Sequence, residues 1–145
     1  IGWPRVRTVV LRRADQNQSE LYVHTDLRSD KIGDLHANPV ASFLFWLPDQ
    51  RLQLRLSCDV AIKCGPAVTS LWDKVPQLSR IAYGSSPSPG TPIESALAYV
   101  KAPDPDDFAV LVCRINEIDV LHLGEDHRRA RYTKKRDWSG EWLAP

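Results

Sequence analysis

The sequence predicts a small, mainly antiparallel β protein, a closed or nearly closed β-barrel with short helices inserted between its strands. Six or so segments have the period-two alternation or the β-branched composition of strands, and tight polar turns join them. Strands and helices do not alternate regularly, and no glycine-rich turn follows the first strand, which disfavours a parallel doubly wound sheet. The chain has 145 residues, 43% of them hydrophobic, so we expect a single domain over residues 1–145.

The first two strands are expected to form a hairpin. Residues 6–12 are rich in β-branched side chains, and the polar residues 15–19 are typical of a turn. Residues 20–25 then alternate between apolar and polar side chains, with Leu21 and Thr25 on the same face.

A polar turn and a short helix follow the hairpin. Arg28 and Lys31 lie in the turn, and Ser29 is placed to accept from the N–H groups that open a helix. Helical spacing extends over residues 32–37, and Pro39 ends the element. A hydroxyl, two cations and free helical N–H groups at one place favour an anion site, and a solvated corner is the alternative interpretation.

Two long strands are predicted in the middle of the chain. Residues 40–47 are a near-continuous apolar run, which is typical of a strand buried on both faces. Residues 51–62 alternate along a second strand. The apolar face of this second strand carries Leu52, Leu54 and Leu56, and its polar face carries Gln53, Arg55 and Ser57.

The remaining residues predict helical pieces, a loop and further strands. Residues 69–84, with Trp72, Leu78 and Ile81 as apolar positions, are expected to be helical in two pieces separated at Pro76. Residues 85–92, rich in Ser, Pro and Gly, are expected to form a loop. A short helix is expected over residues 93–100, and strands over residues 108–115, 118–123 and 128–135.

Charge and residue usage disfavour several classes of function. The net charge of +1 gives no reason to expect a nucleic-acid partner, and no apolar run reaches membrane-spanning length. Cys58, Cys64 and Cys113 form no C-x-x-C pair, so we expect reduced thiols in a cytoplasmic protein. The four histidines lack metal-site spacing, and no metal is expected. Since the chain begins at Ile1 without a methionine, we expect residues to precede it.

Four segments carry a resemblance to a known family. They read RTVVLR (residues 7–12), HTDLRSDKIGDLHANP (24–39), QLRL (53–56), and LHLGEDHRRARY with WLAP (121–132 and 142–145). Taken in this order, they resemble the pyridoxamine 5'-phosphate oxidase-like, FMN-binding split-barrel family. The resemblance implies a split antiparallel β-barrel and a homodimer that holds two FMN molecules in grooves between its subunits.

The resemblance also assigns residues to the cofactor. Arg7 and Arg12 would approach the flavin and its phosphate, Lys31 would meet the phosphate, and Arg131 would close over the ring. Arg28 would substitute for a missing turn cation, and Ser85 or Ser86 would lie near the phosphate. The cofactor-binding residues implied in this way are Arg7, Arg12, His24, Thr25, Arg28, Ser29, Lys31, Gln53, Arg55, Ser85, Ser86 and Arg131.

The chain departs from the family pattern at three places. Asp30 replaces the arginine of the usual S-R-K turn, and Leu121 stands where a tryptophan is expected. The substrate-binding R-x-H pair aligns with His127 and Arg129, which reverses the order of residue types. FMN binding is therefore better supported than oxidation of pyridoxamine phosphate itself.

Three functions follow from these observations. The first is an FMN-dependent oxidoreductase acting on a small molecule, with Arg131, His127 and Arg129 as the residues nearest the reaction. The second is a non-catalytic flavin-binding module, which the altered substrate pair favours. The third is a split barrel that has exchanged FMN for haem or a deazaflavin.

Overall fold

A computed structural model describes residues 3–145. Its three helices are α1 (Asp30–Ala37), α2 (Thr69–Trp72) and α3 (Gln77–Arg80). Its nine strands are β1 (Leu11–Asp15), β2 (Glu20–Asp26), β3 (Val40–Leu47), β4 (Leu52–Cys64), β5 (Ser85–Ser86), β6 (Val100–Lys101), β7 (Phe108–Leu123), β8 (His127–Thr133) and β9 (Gly140–Leu143). No helix in the described part of the chain has the length and hydropathy of a membrane span.

One seven-stranded antiparallel sheet is built around β7. Its strands run in the order β1-β2-β7-β4-β3, and β8 pairs with β7 and with β9. The first part of β7 pairs with β2 and the second part pairs with β8, while β4 runs along the other side of β7. This arrangement confirms the predicted antiparallel β class and is that of a split barrel.

Two apolar clusters lie on opposite faces of the sheet. The first is enclosed by β2, β4 and β7 and by the buried helix residues Ile32 and Leu35. The second lies on the other face of β2 and β7, where Trp72 and Tyr83 of the irregular segment 65–84 pack against Phe108. The first residues of β7 are a near-continuous apolar run because this part of the strand is buried on both faces.

Several predicted elements are confirmed with shifted limits. The first strand begins at Leu11 rather than at residue 6, and residues 3–10 have no regular secondary structure. The predicted strands 108–115 and 118–123 are one strand, β7, in which an irregular register opposite Ser57 and Cys58 leaves Asn116 without a partner on β4. A β-bulge of this kind interrupts the alternation without ending the strand, so the sequence pattern shows a false boundary.

Other predictions are wrong, and each has a physical reason. β3 is an edge strand that is covered on one face only, and not on both faces as predicted. Its even-numbered positions are exposed, whereas Phe43 and Phe45 on the other face pack against the core. Residues 93–100 form no helix. Leu78, predicted as an apolar core position, is 85% exposed, because α3 is a single turn too short to present a continuous apolar face.

Candidate functional site

The end of β2 and the start of α1 bring a lysine and two hydroxyl groups together. Lys31 Nζ donates to Thr25 Oγ1 at 2.8 Å and to Ser29 Oγ at 3.0 Å. The two hydroxyl oxygens lie 3.3 Å apart, and both residues are buried. An ammonium group has three N–H donors, so this cluster, the Lys31 corner, leaves one donor for a ligand.

Arg7 adds positive charge to the Lys31 corner. Its Nη2 donates to Asp34 Oδ2 on α1 at 3.1 Å. Burial lowers the pKa of Lys31, and the positive charge of Arg7 lowers it further. Lys31, Arg7 and the two buried hydroxyls supply the cationic and hydroxyl donors that a phosphate monoester requires, so these residues fit the phosphate of FMN.

Ser29 does not cap α1 as predicted. Its side chain makes no hydrogen bond to the N–H groups of the first helical turn. Ser29 Oγ donates instead to the Asp26 carbonyl at 2.7 Å and accepts from Lys31. The tight turn at Asp26 directs this hydroxyl away from the helix axis, so it serves the Lys31 corner.

Arg28 is engaged by carboxylates rather than left free in the turn. Its guanidinium pairs with Asp26 at 3.1 Å and with Asp107 at 2.9 Å, and Nη2 donates to the Ser85 carbonyl at 2.9 Å. Two carboxylates offset the charge of Arg28, so it is less suited than Lys31 to bind an anion. Its assignment to the cofactor stays a prediction.

Asp26 ties the segment of Ser85 and Ser86 to the end of β2. Its carboxylate accepts from Gly84 N at 2.9 Å and from Arg28 N at 2.8 Å. Burial raises the pKa of Asp26, but the hydrogen bonds from Arg28 and Gly84 outweigh it, so the pKa lies below its ordinary value. The Ser85 carbonyl is thus held beside β2, whereas Ser86 is exposed.

Arg12 and His24 lie on the other face of the hairpin from Thr25. Arg12 Nη2 donates to Tyr83 Oη at 3.5 Å, and the His24 ring lies 4.9 Å from the Phe108 ring, centroid to centroid. Burial lowers the pKa of His24, and the charge of Arg12 lowers it further. His24 is therefore a neutral, packed ring near pH 7, and it does not join the Lys31 corner in this chain.

A second group of predicted residues shares one face of β4, β7 and β8. Arg55 is the partner of Asp119, which in turn is the partner of Arg131. Gln53 is the partner of Leu121, which is the partner of Arg129. Side chains of directly paired residues point to the same face. We call this surface the Asp119 face; it consists of Gln53, Arg55, Asp119, Leu121, Arg129 and Arg131.

Carboxylates hold the arginines of the Asp119 face. Asp119 accepts from Arg55 Nη2 at 2.7 Å and from Arg129 Nε and Nη2 at 3.0 and 2.7 Å. Glu141 accepts from Arg131 Nη2 at 2.6 Å and also pairs with Arg136. The hydrogen bond from Arg129 lowers the pKa of Asp119, and that from Arg131 lowers the pKa of Glu141. The face therefore carries oriented guanidinium groups whose charge is partly offset.

The Lys31 corner and the Asp119 face lie far apart within one chain. Thr25 pairs with Ala109 of β7, whereas Arg55 pairs with Asp119 of the same strand. Ten residues of strand correspond to roughly 30 Å. His127 lies beyond the Asp119 face, exposed at the first position of β8. A single chain does not bring the two groups of predicted cofactor residues into one site.

A cavity lies at the end of the barrel away from the Lys31 corner. Its volume is about 620 Å³, and Leu21, Ile115, Ile118 and Trp138 supply most of its apolar lining. None of the predicted site residues lines it. Its apolar walls come from both sides of the bulge in β7, which sequence periodicity does not reveal.

Cysteine chemistry and metal binding receive no support from the geometry. All three cysteines are free thiols. Burial raises the pKa of Cys58 to about 11 and that of Cys113 to about 12, so neither is a reactive thiolate near neutral pH. Residues 3–145 contain no cluster of His, Cys, Asp and Glu side chains suited to a metal ion.

The sequence did not point to three acidic residues that belong to these sites. Asp26, Asp119 and Glu141 each hold one or more arginines. The signal available for Asp119 was its place between Ile118 and Val120, which puts it on the same face as Leu121. Partners distant in sequence are set by strand register, so the sequence did not point to Arg55 or Arg129.

Comparisons with known proteins show what the chain is similar to. A family model described as "Pyridoxamine 5'-phosphate oxidase, FMN-binding domain" matches residues 1–63. The chain is 29% identical to "Pyridoxine/pyridoxamine 5'-phosphate oxidase 2" of Arabidopsis thaliana, over 99% of this chain and 82% of that protein. It is 38% identical to "Pyridoxine/pyridoxamine 5'-phosphate oxidase" of Acinetobacter baumannii (strain SDF) over 61% of this chain, and the match spans 40% of that relative's length.

Solved structures share the fold. A pyridoxamine 5'-phosphate oxidase-related, FMN-binding protein of Nostoc punctiforme superposes with a TM-score of 0.80 at 28% identity, over 96% of this chain and 80% of that one. PhzG of Burkholderia lata, solved with tetrahydrophenazine-1-carboxylic acid, superposes with a TM-score of 0.74 at 20% identity, over 96% and 74% of the two chains. The second likeness concerns the fold alone.

Proposed function

We propose that the chain is a member of the pyridoxamine 5'-phosphate oxidase-like, FMN-binding split-barrel family and an FMN-dependent oxidoreductase acting on a small molecule, since its sequence and fold are similar to those of such proteins. FMN is its cofactor. When bound, FMN supplies the redox chemistry by accepting a hydride or an electron pair. The protein supplies binding, orientation and charge.

The observation that carries the proposal is the Lys31 corner. Lys31 holds its ammonium group against two buried hydroxyls, close enough to Arg7 for the two charges to interact. The charges of Lys31 and Arg7 oppose each other, and a phosphate dianion bound at this corner would interact favourably with both. In this proposal Lys31, Thr25, Ser29 and Arg7 bind the phosphate of FMN.

The separation of the two groups of residues supports a homodimer as part of this proposal. Within one chain, roughly 30 Å of strand separates the Lys31 corner from the Asp119 face. A second copy would place its Asp119 face against the Lys31 corner of the first. β3 supports such an interface, because Val40, Leu44 and Trp46 are at least half exposed on an edge strand.

The Asp119 face would then supply the residues at the reacting end. Arg131 and Arg129 would donate hydrogen bonds to the polar edge of the ring or to an anionic substrate, and His127 would lie at the entrance. Arg129 stands where a histidine is expected, and Asp119 holds its guanidinium. These two differences support a substrate other than pyridoxamine phosphate.

A non-catalytic flavin-binding module is the second candidate. Asp119 pairs with Arg129, and Glu141 pairs with Arg131. These ion pairs offset part of the positive charge that a substrate would meet, and this favours the non-catalytic function. Tight FMN binding without any turnover in reduction and reoxidation assays would identify this function.

The test is an absorbance spectrum of the purified protein before and after addition of FMN and removal of the excess. We expect a retained flavin spectrum, and its loss in the variant Arg7→Ala plus Lys31→Ala. The control is Lys74→Ala plus Lys135→Ala, which removes two exposed lysines that form no ion pair within residues 3–145. A folded wild-type protein that ignores FMN would refute the proposal.

A further inference from the structure

Asp119 is a carboxylate at the centre of a surface that is otherwise expected to carry cations. Its side chain is only 7% exposed, although it lies on the outward face of β7. Arg55 covers it from β4 and Arg129 covers it from β8. A carboxylate buried in this way costs free energy unless charged partners surround it, so its presence needs an explanation.

The contacts fix the orientation of both guanidinium groups. Arg129 uses Nε and Nη2 in a bidentate contact with Asp119, at 3.0 and 2.7 Å to the nearest oxygens. Arg55 uses one nitrogen, Nη2, at 2.7 Å. Bidentate contact sets the plane of a guanidinium as well as its position. The rest of each guanidinium is open, since the Arg55 and Arg129 side chains are 49% and 32% exposed.

We propose that Asp119 is a positioning residue, which orients Arg55 and Arg129 so that their remaining N–H groups meet the bound flavin. The inference rests on the proposed function, because it requires FMN to lie on the Asp119 face. It goes beyond that function by assigning a role to an acidic residue that would otherwise oppose binding of an anionic cofactor.

Charge and ionisation agree with this role. Two guanidinium groups share one carboxylate, so the trio keeps a net charge of +1 toward the ligand. The hydrogen bond from Arg129 holds the pKa of Asp119 below its ordinary value, in spite of burial. Asp119 is therefore ionised at every pH at which the enzyme would work, and it stays paired with both arginines over that range.

A purely electrostatic role predicts the opposite outcome. If Asp119 only lowered the positive charge of the face, then Asp119→Asn would strengthen binding of the anionic cofactor. If Asp119 positions the arginines, the same change frees two flexible side chains and weakens binding. The sign of the change in FMN affinity distinguishes the two roles.

The experiment measures the FMN dissociation constant by quenching of flavin fluorescence. We expect Asp119→Asn and Arg129→Ala each to raise it about tenfold, and the double variant to raise it by clearly less than the product of the two effects, because part of the effect of Asp119→Asn acts through Arg129. Asp119→Glu should recover most of the affinity. The control Asp59→Asn removes an exposed carboxylate of β4 that forms no ion pair within residues 3–145, and it should leave the constant unchanged.

Arg129→Lys keeps the test valid if Asp119→Asn does not fold. Lysine retains the charge and leaves no buried carboxylate without a cation, but it cannot make the bidentate contact. We expect it to weaken FMN binding about as much as Arg129→Ala. A second measurement follows hydrogen exchange of the Arg129 Nε–H by NMR, which should be slow in the wild type and fast in Asp119→Asn.

Three results would overturn the inference. They are unchanged or tighter FMN binding in Asp119→Asn, additive effects of Asp119→Asn and Arg129→Ala, or rapid exchange of the Arg129 Nε–H in the wild type. A wild-type protein that binds no FMN would contradict the proposed function and this inference together. That failure is seen in the wild type alone, so it is distinct from failure of the positioning role.

Discussion

At the scale of one residue, Lys31 is a cation in surroundings that disfavour its charge. Its ammonium group is partly buried, close to Arg7, and its hydrogen-bond partners are neutral hydroxyls. Burial and a neighbouring cation both disfavour the protonated form. Binding sites are commonly less stable than the rest of a fold for this reason, since ligand binding rather than folding satisfies their charges.

A pH dependence of stability follows from Lys31. Its folded pKa lies below the ordinary value of 10.5, so in the window between the two values the unfolded chain binds more protons. The free energy of unfolding of the FMN-free protein should therefore rise with pH across that window, relative to Lys31→Met. Thermal unfolding midpoints of both proteins from about pH 8 to 10.5 would measure it. Lys74→Met, at an exposed position, is the control. A wild-type protein that loses stability relative to Lys31→Met over this range would contradict the assignment.

Arginines illustrate the limit of reasoning from single residues. Arg28, Arg55, Arg129 and Arg131 all look like free cations in the sequence, and each is held by an acidic partner in the fold. These arginines differ in how far the N–H groups that are not bound to a carboxylate are exposed to solvent. Their charge in the sequence therefore overstates their capacity to bind an anion.

At the scale of elements, Asp26 joins three segments that the chain connects only through long intervals. It pairs with Arg28 of the turn and accepts from Gly84 N. Arg28 also pairs with Asp107, the residue that precedes β7. Asp26 therefore links the Lys31 corner to the segment of Ser85 and Ser86.

Asp26→Asn should destabilise the protein by about 2 to 3 kcal/mol at neutral pH, because a buried carboxylate with charged and backbone donors is lost. Urea denaturation followed by tryptophan fluorescence would measure it. The folded pKa of Asp26 is depressed, so its contribution is present above the model-peptide value of 3.8 and is lost as pH falls through the lower folded value. Asp49→Asn, in an exposed turn, should have little effect. Equal stability of the two variants would show that Asp26 does not join these segments.

At the scale of the whole molecule, exposed apolar side chains on the edge strand β3 are consistent with the proposed homodimer. Val40 and Leu44 on the edge strand β3 are 50% and 67% exposed, whereas Leu21 and Val23 on the inner strand β2 are 6% and 1% exposed. An exposed apolar edge strand invites association, and a second copy of the chain is the partner that would also complete the FMN site.

The variant Val40→Glu plus Leu44→Glu should convert a dimer into a folded monomer and abolish FMN binding, although neither residue belongs to the Lys31 corner. Size-exclusion chromatography with light scattering gives the mass, and circular dichroism checks the fold. Leu97→Glu changes a side chain that is 81% exposed in a loop, and it should remain dimeric. A wild-type protein that is monomeric and still binds FMN would refute the shared site.

Much of the local structure was predictable from the sequence. Alternation located β2 and β4, the spacing around Ile32 located α1, and Pro76 separated the two short helices. Local steric and burial preferences decide such elements, so a short window of sequence contains the information. The sequence did not predict where β1 begins, or that residues 108–123 form the single strand β7. Both features depend on pairing with neighbouring strands, including the bulge opposite β4.

The sequence by itself predicted the antiparallel β class, and its motifs carried the resemblance to FMN-binding split barrels from which Lys31, Thr25, Ser29 and Arg7 were assigned to the cofactor. Only the tertiary structure decided that Asp119 pairs with two arginines, that one face of β3 is exposed, and that the predicted cofactor residues form two distant groups. The physical reason is that ion pairs and exposure depend on strand register and on which strand lies at an edge. Both are set by long-range pairing, since Arg55 and Asp119 are partners across 64 residues of chain.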